Sequence, residues 1–164
     1  MAVIIEPIHP TDNAALAIII RTALAEFGAN KPGTVYYDST TDALYELFRT
    51  PGSMYFVARN NEQLLGGGGI FPTEGLPTGT CELVKMYLRK DVRGKGLGKQ
   101  LIETCLGWAR TNGYNQVYLE TMPELKQALQ VYERFGFSYL TAPMGNSGHF
   151  GCDLWMLISF SDTE

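Results

Sequence analysis

The sequence predicts one mixed α/β domain spanning residues 1–164, and three observations carry that prediction. Strand-like segments recur along the chain, segments of helical periodicity alternate with them, and a strand, a glycine turn and an amphipathic helix follow one another directly from Cys81 to Asn112. A chain of 164 residues is long enough to bury a core without disulfide or metal staples.

Ala2 to Ile8 reads as a first strand, punctuated by Pro10, with Thr11 or Asp12 as N-cap of the helix that follows. Leu16, Ile20, Ala23, Leu24 and Phe27 form its apolar stripe and Gly28 its stop. An irregular stretch with Tyr36 and Tyr37 precedes a second predicted helix over 41–49, which ends before Pro51-Gly52. Met54 to Arg59 and a segment from Gln63 read as a hairpin turning at Asn60-Asn61. The second strand carries Gly66-Gly67-Gly68-Gly69, a costly run that signals a bulge or a very close approach by another backbone or a ligand. Cys81 to Leu88 is the next strand, and Leu97, Leu101, Ile102, Cys105, Leu106 and Ala109 form the buried stripe of the helix behind it. Gln116 to Glu120 is a short strand. Pro123 opens a helix through Tyr132 that Gly136 closes, and 137–140 and 154–160 are the last strands.

Composition narrows the function classes. No apolar run is long enough to cross a bilayer, and MAVIIEPIHP has neither the basic flank nor the cleavage site of a signal peptide. Cys81, Cys105 and Cys152 lack paired spacing, which argues against disulfides and zinc and points to the cytoplasm. A net charge of −4 disfavours nucleic acid. Yet five of the thirteen Lys and Arg residues fall between Arg89 and Lys99, so one local anionic ligand is expected.

That ligand belongs at the glycine turn. The first turn of a helix offers unpaired N–H groups and positive potential, and glycines let a phosphate reach them. Arg93 and Lys95 would add charge-assisted bonds to a diphosphate. The spacing Gly94-x-Gly96-x-Gly98 fits neither a Walker loop nor the dinucleotide fingerprint.

Arg93 to Gly98 instead resembles the pyrophosphate motif Arg/Gln-x-x-Gly-x-Gly/Ala of the GNAT (GCN5-related N-acetyltransferase) family, anchored at Arg93, Gly96 and Gly98. Some forty residues on, Ala128 to Phe137 resembles that family's Ala-x-x-x-Tyr-x-x-x-Gly-Phe. The chain departs from the family at Lys90, where Pro is common, and at Leu125, where Asn is common, so Leu125 is given no binding role. The resemblance implies an acyl-CoA N-acyltransferase fold, a twisted mixed sheet of six or seven strands with helices on both faces. It implies that the sheet splays between Cys81–Leu88 and Gln116–Glu120 to admit acetyl-CoA, the co-substrate, with no metal. The arm would lie along Met86, Tyr87 and Leu88, and the diphosphate on Arg93, Gly94, Lys95, Gly96, Leu97, Gly98 and Lys99.

Transfer from a thioester to an amine needs a base, because an alkylamine of pKa about 10.4 is mostly protonated at neutral pH, and it needs an acid for the leaving thiolate. The resemblance implies Tyr132 as that acid. Glu82 and Glu120 are the candidate bases; even spacing predicts Glu82 on the same sheet face as Met86. His149 and Cys152 are too few for a metal site, and His149 reads as a wall residue in a late loop. By resemblance, Tyr36 and Tyr37 would wall the acceptor cleft, and a homodimer is possible. The expected reaction is acetylation of a small-molecule amine; the alternatives are a protein or peptide amine, or an acetyl-CoA sensor without turnover.

Overall fold

The computed structural model describes residues 2–160. Seven strands form one sheet: β1 (Ile4–Pro7), β2 (Met54–Asn60), β3 (Gln63–Phe71), β4 (Thr80–Leu88), β5 (Gln116–Thr121), β6 (Ser138–Leu140) and β7 (Leu154–Ser159). Their order is β1-β2-β3-β4-β5-β7-β6. Every neighbouring pair is antiparallel except β4 and β5 at the centre, which are parallel. The helices are α1 (Asn13–Glu26), α2 (Leu44–Leu47), α3 (Leu97–Thr111) and α4 (Lys126–Phe135).

Alternation along the strands supplies two apolar faces. Tyr55 and Val57 meet Leu16, Ile20 and Leu24 of α1 and Leu44 of α2 on one face. Ile70, Leu83, Val117 and Leu119 meet Ile102, Cys105 and Ala109 of α3 and Tyr132 of α4 on the other. Cys105 is thus the core residue its helical position predicts.

Local differences from the sequence reading have local causes. The helix expected over 41–49 is instead a 3-10 turn, Ser39–Asp42, followed by the single turn of α2. Asp38 caps the 3-10 turn through the Thr40 N–H, and Ala43 breaks the run at φ −137°, ψ 49°. The β2–β3 hairpin turns at Asn61-Glu62, not Asn60-Asn61: Asn60 still pairs with Gln63, and Asn61 takes the positive φ of 55°. After Pro123, a turn closed by Leu125 N–H on the Met122 carbonyl precedes α4, delaying it to Lys126.

The glycine run marks both a bulge and a close approach, and the approaching groups are side chains. Gly67 pairs with Tyr87 and Gly69 with Val84, so Lys85 and Met86 of β4 together oppose Gly68. Lys85 is the extra residue at φ 52°, with its carbonyl held by the Tyr55 hydroxyl at 2.8 Å. The Tyr55 ring lies over Gly67 and Gly69, and the Met86 methyl occupies the space a Cβ on Gly68 would need.

A Cβ on Gly67 would fall 2.6 Å from both the Phe56 carbonyl oxygen and the Tyr55 ring. Gly67→Ala is therefore expected to cost about 1–3 kcal/mol, as overpacked sites do. Urea unfolding checks this, and an unshifted midpoint would show that Tyr55 gives way freely.

Candidate active site

β4 and β5 pair only where Thr80, Cys81 and Glu82 face Gln116, Val117 and Tyr118; beyond that they part. The gap is part of a cleft of about 650 Å³ lined by Glu82 to Leu88, by Leu119 to Met122, by the start of α3, and by Tyr132 and its neighbours on α4. The expected splay is present.

One end of the cleft is the glycine turn. Gly94 and Gly96 have φ of 77° and 84°, and no heavy atom approaches where a Cβ on either would stand. Left-handed backbone, not crowding, calls for glycine here, and the turn stays open to an anion. The Arg93 guanidinium donates to the Leu88 carbonyl at 2.9 Å and to Glu26 at 2.8 Å, and lies 4.9 Å from the Phe27 ring centre. Met86, Tyr87, Leu88, Arg93, Gly94, Gly96, Gly98 and Lys99 line the cleft. Lys95 does not; it reaches the Asp91 carbonyl at 3.4 Å, while Leu97 is buried with Val92 and Leu101.

The other end is a polar cluster that folding assembles from five segments. Glu82 is 2% exposed and accepts a 2.6 Å bond from Thr73. Burial pushes its carboxyl up to about 7, aided by the nearby Glu120 and opposed by the Thr73 bond, His149 and Lys85. Glu120 accepts from Tyr118 at 2.7 Å and from the Ser147 hydroxyl, and stands 4.0 Å from His149 Nδ1. His149 Nε2 lies 2.8 Å from Asp38 Oδ2, and Lys85 Nζ 3.5 Å from the same oxygen. The His149 contact, with help from Thr40 and Lys85, holds the Asp38 carboxyl well below its usual range despite burial. Burial pushes the Lys85 ammonium down, against the pull of Asp38 and Glu82. Glu82, Glu120 and His149 each place a potential ligand atom within 4.8 Å of the others, which the spacing of His149 and Cys152 alone did not show.

The face expected for Glu82 is corrected. The Lys85 bulge inverts the alternation of β4, so Met86 packs with Leu83 and Ile102, while Glu82 points across the sheet toward Glu120 and His149. All three expected catalytic side chains, Tyr132, Glu82 and Glu120, nonetheless line the cleft. Tyr132 is 7% exposed, its ring is edge-on to Phe137 at 5.8 Å, and burial raises its hydroxyl well above the ordinary range. Tyr36 packs on the core and Tyr37 is exposed; neither lines the cleft, and the following residue, Asp38, makes the contact with His149. Asp38, Thr73, Lys85, Tyr118 and Ser147 were invisible to spacing: Asp38, Thr73 and Ser147 arrive on loops, Lys85 on the bulge, and Tyr118 from the neighbouring strand β5.

A mixed sheet splayed between its parallel strands, with a glycine turn at one end of the gap, is the acyl-CoA N-acyltransferase architecture. The sequence model of the Acetyltransferase (GNAT) family matches residues 20–137, and the chain belongs to that family. The uncharacterized N-acetyltransferase YjgM of Escherichia coli (strain K12) is 41% identical over 148 residues, covering 89% of this chain and 88% of that one. A GNAT-family acetyltransferase structure from Staphylococcus aureus Mu50 superposes with a TM-score of 0.81 at 17% identity, over 96% of this chain and 99% of that one. The Salmonella typhimurium protein yncA, solved with its cofactor acetyl-CoA, superposes with a TM-score of 0.75 at 23% identity, over 99% of this chain and 96% of that one.

The Glu82 proton is held more tightly in the folded chain than in the unfolded one, where the carboxyl titrates near 4.5. Its contribution to stability is full below about 4.5 and is lost as pH rises through about 7. Glu82→Gln cannot ionise, so it is expected to flatten the fall in melting temperature across that window. Parallel profiles for the two proteins would show that Glu82 titrates normally.

Proposed function

We propose that the chain, as one domain of residues 1–164, transfers acetyl from acetyl-CoA directly to a primary amine of a small molecule. The observation that carries this reading is the single cleft joining the glycine turn to Glu82 and Tyr132. The family's chemistry and the acetyl-CoA bound by yncA support the choice of donor.

Bound acetyl-CoA supplies an activated acyl carbon. The N–H groups at the start of α3 and the Arg93 guanidinium hold its diphosphate, and the β4 edge released from β5 offers backbone groups to its arm. Glu82 is the base: it accepts one hydrogen bond and is buried, which holds its proton affinity near neutrality. The oxygens of Glu120 are engaged by Tyr118 and Ser147, so Glu120 fixes the loop over the cleft. Tyr132, kept protonated by burial, delivers the proton to the leaving thiolate.

Two loops roof the acceptor end, joined by Gly151 N–H on the Gly33 carbonyl at 2.7 Å and by His149 on Asp38. That roof favours a compact amine over a peptide chain.

Calorimetric titration with acetyl-CoA, with ATP as control, tests the donor. Binding of acetyl-CoA alone is expected, as is its loss in Gly96→Glu, which forces a side chain onto the left-handed turn and places a carboxylate against the diphosphate. Unchanged affinity in that variant would remove the glycine turn from the binding site.

Once an amine is found by screening, Tyr132→Phe is expected to lower kcat by about a hundredfold with cofactor affinity unchanged. Glu82→Gln should abolish the limb of the pH–rate profile near pH 7. Equal kinetics in either variant would strip that residue of its role.

A further inference from the structure

The chain has six lysines, and Lys85 alone is buried. Lys90, Lys95, Lys99 and Lys126 are exposed, and Lys31 is half-buried in a pair with Glu124. Lys85 stands on the strand that borders the cleft and lines the cleft itself, with a side chain 4% exposed. Its ammonium sits 3.5 Å from an Asp38 oxygen already held by His149 at 2.8 Å, while the other Asp38 oxygen accepts from Thr40. The backbone cannot carry it away, because the bulge fixes its φ at 52° and Tyr55 ties its carbonyl.

A buried amine paired only at 3.5 Å with Asp38 and within electrostatic reach of Glu82, in a cleft shaped for an acyl donor, has what an external acceptor must bring. We propose that Lys85 is itself an acetyl acceptor, modified by acetyl-CoA in the chain's own cleft when no amine substrate is present. This inference rests on the acetyl-CoA reading of the cleft.

The balance of the step is simple. Lys85 Nζ forms an amide bond to the acyl carbon as the carbon–sulfur bond breaks. The amine proton passes to Glu82, and Tyr132 protonates the thiolate, so that free CoA leaves. Glu82 and Tyr132 regain their starting states by proton exchange with solvent. Burial contributes by favouring the neutral, nucleophilic amine. Acetyl-Lys85 loses its charge and with it the pairing to Asp38, and it adds bulk at the acceptor end.

The test incubates the full chain with acetyl-CoA and no amine, followed by intact mass and peptide mapping, with acetyl-CoA binding measured separately by calorimetry. One acetyl group on Lys85 is expected, absent in Lys85→Met and formed at least about tenfold more slowly in Tyr132→Phe. Mapping on the wild-type chain decides the matter even if Lys85→Met fails to fold. Acetyl groups spread over the exposed lysines at equal rates in wild type and Tyr132→Phe would be chemical, and would overturn the proposal. An unmodified Lys85 in a chain that binds acetyl-CoA would overturn it and leave the donor reading intact. A chain that binds no acetyl-CoA would overturn both.

Trace labelling with acetic anhydride, without acetyl-CoA, gives a second readout. Lys85 should retain its labelling rate to lower pH than Lys95 and Lys126. Parallel profiles for all three would show an ordinary amine and would likewise overturn the proposal.

Discussion

Opposite Gly68, β4 places two residues where β3 places one, and the active cleft depends on that mismatch. The side-chain period of a strand is two, so one inserted residue moves every later side chain to the opposite face. Before the bulge, Glu82 and Val84 face the α1 layer; after it, Tyr87 does, and Met86 and Leu88 turn toward α3. Met86 and Leu88 therefore share a strand with Glu82 yet face the other side of the sheet. A left-handed lysine is an expensive conformation for such a post. The Tyr55 hydroxyl on its carbonyl offsets part of that cost, a buried hydrogen bond being worth about 1 kcal/mol. The glycines opposite leave room for Tyr55 and Met86 to hold the bulge from both sides of the sheet.

Two carboxylates near one another would be a poor arrangement if both were equally solvated and equally bonded. The fold separates them by donor count. Glu120 receives the Tyr118 and Ser147 hydroxyls, whereas Glu82 receives only Thr73 and lies deeper. Such asymmetry is how neighbouring acids acquire different tasks. Ser147 also accepts from the His149 N–H at 3.1 Å, so the loop that occupies Glu120 is the loop that sets His149 against Asp38.

What could be read in advance follows from the range of the interactions concerned. The amphipathic α3, the glycine turn and the tyrosine three residues before the end of α4 are local patterns, and the chain displays them at the predicted places. The glycine run announced a bulge without locating its partner, because a missing side chain says that something approaches and not what. Tyr55 and Met86 lie 14 and 18 residues from Gly69 and Gly68 in the sequence, beyond any period a pattern can show. Glu82 leaves the face of Met86 for the same reason: parity counting is sound on a regular strand and fails across one inserted residue. Asp38 and His149, 111 residues apart, meet only through the tertiary fold.

The two ends of the cleft are bounded by one stretch of chain. Glu26, at the last turn of α1, holds Arg93 beside the glycine turn; Asp38, twelve residues on, holds His149 over the polar end. The Leu88 carbonyl and Phe27 already orient Arg93, so on the proposed reading a diphosphate arriving there would leave it little side-chain freedom to lose. Its competitor for the guanidinium is the Glu26 carboxylate. A partly exposed pair of that kind is worth up to about 1 kcal/mol. A diphosphate carries more charge and more acceptor oxygens than Glu26, so on that reading the exchange would favour the ligand. Glu26 stands at the end of α1, from which the chain runs on to Asp38. The glycine turn and the roof over the polar end are thereby joined by covalent connection as well as by a shared cleft.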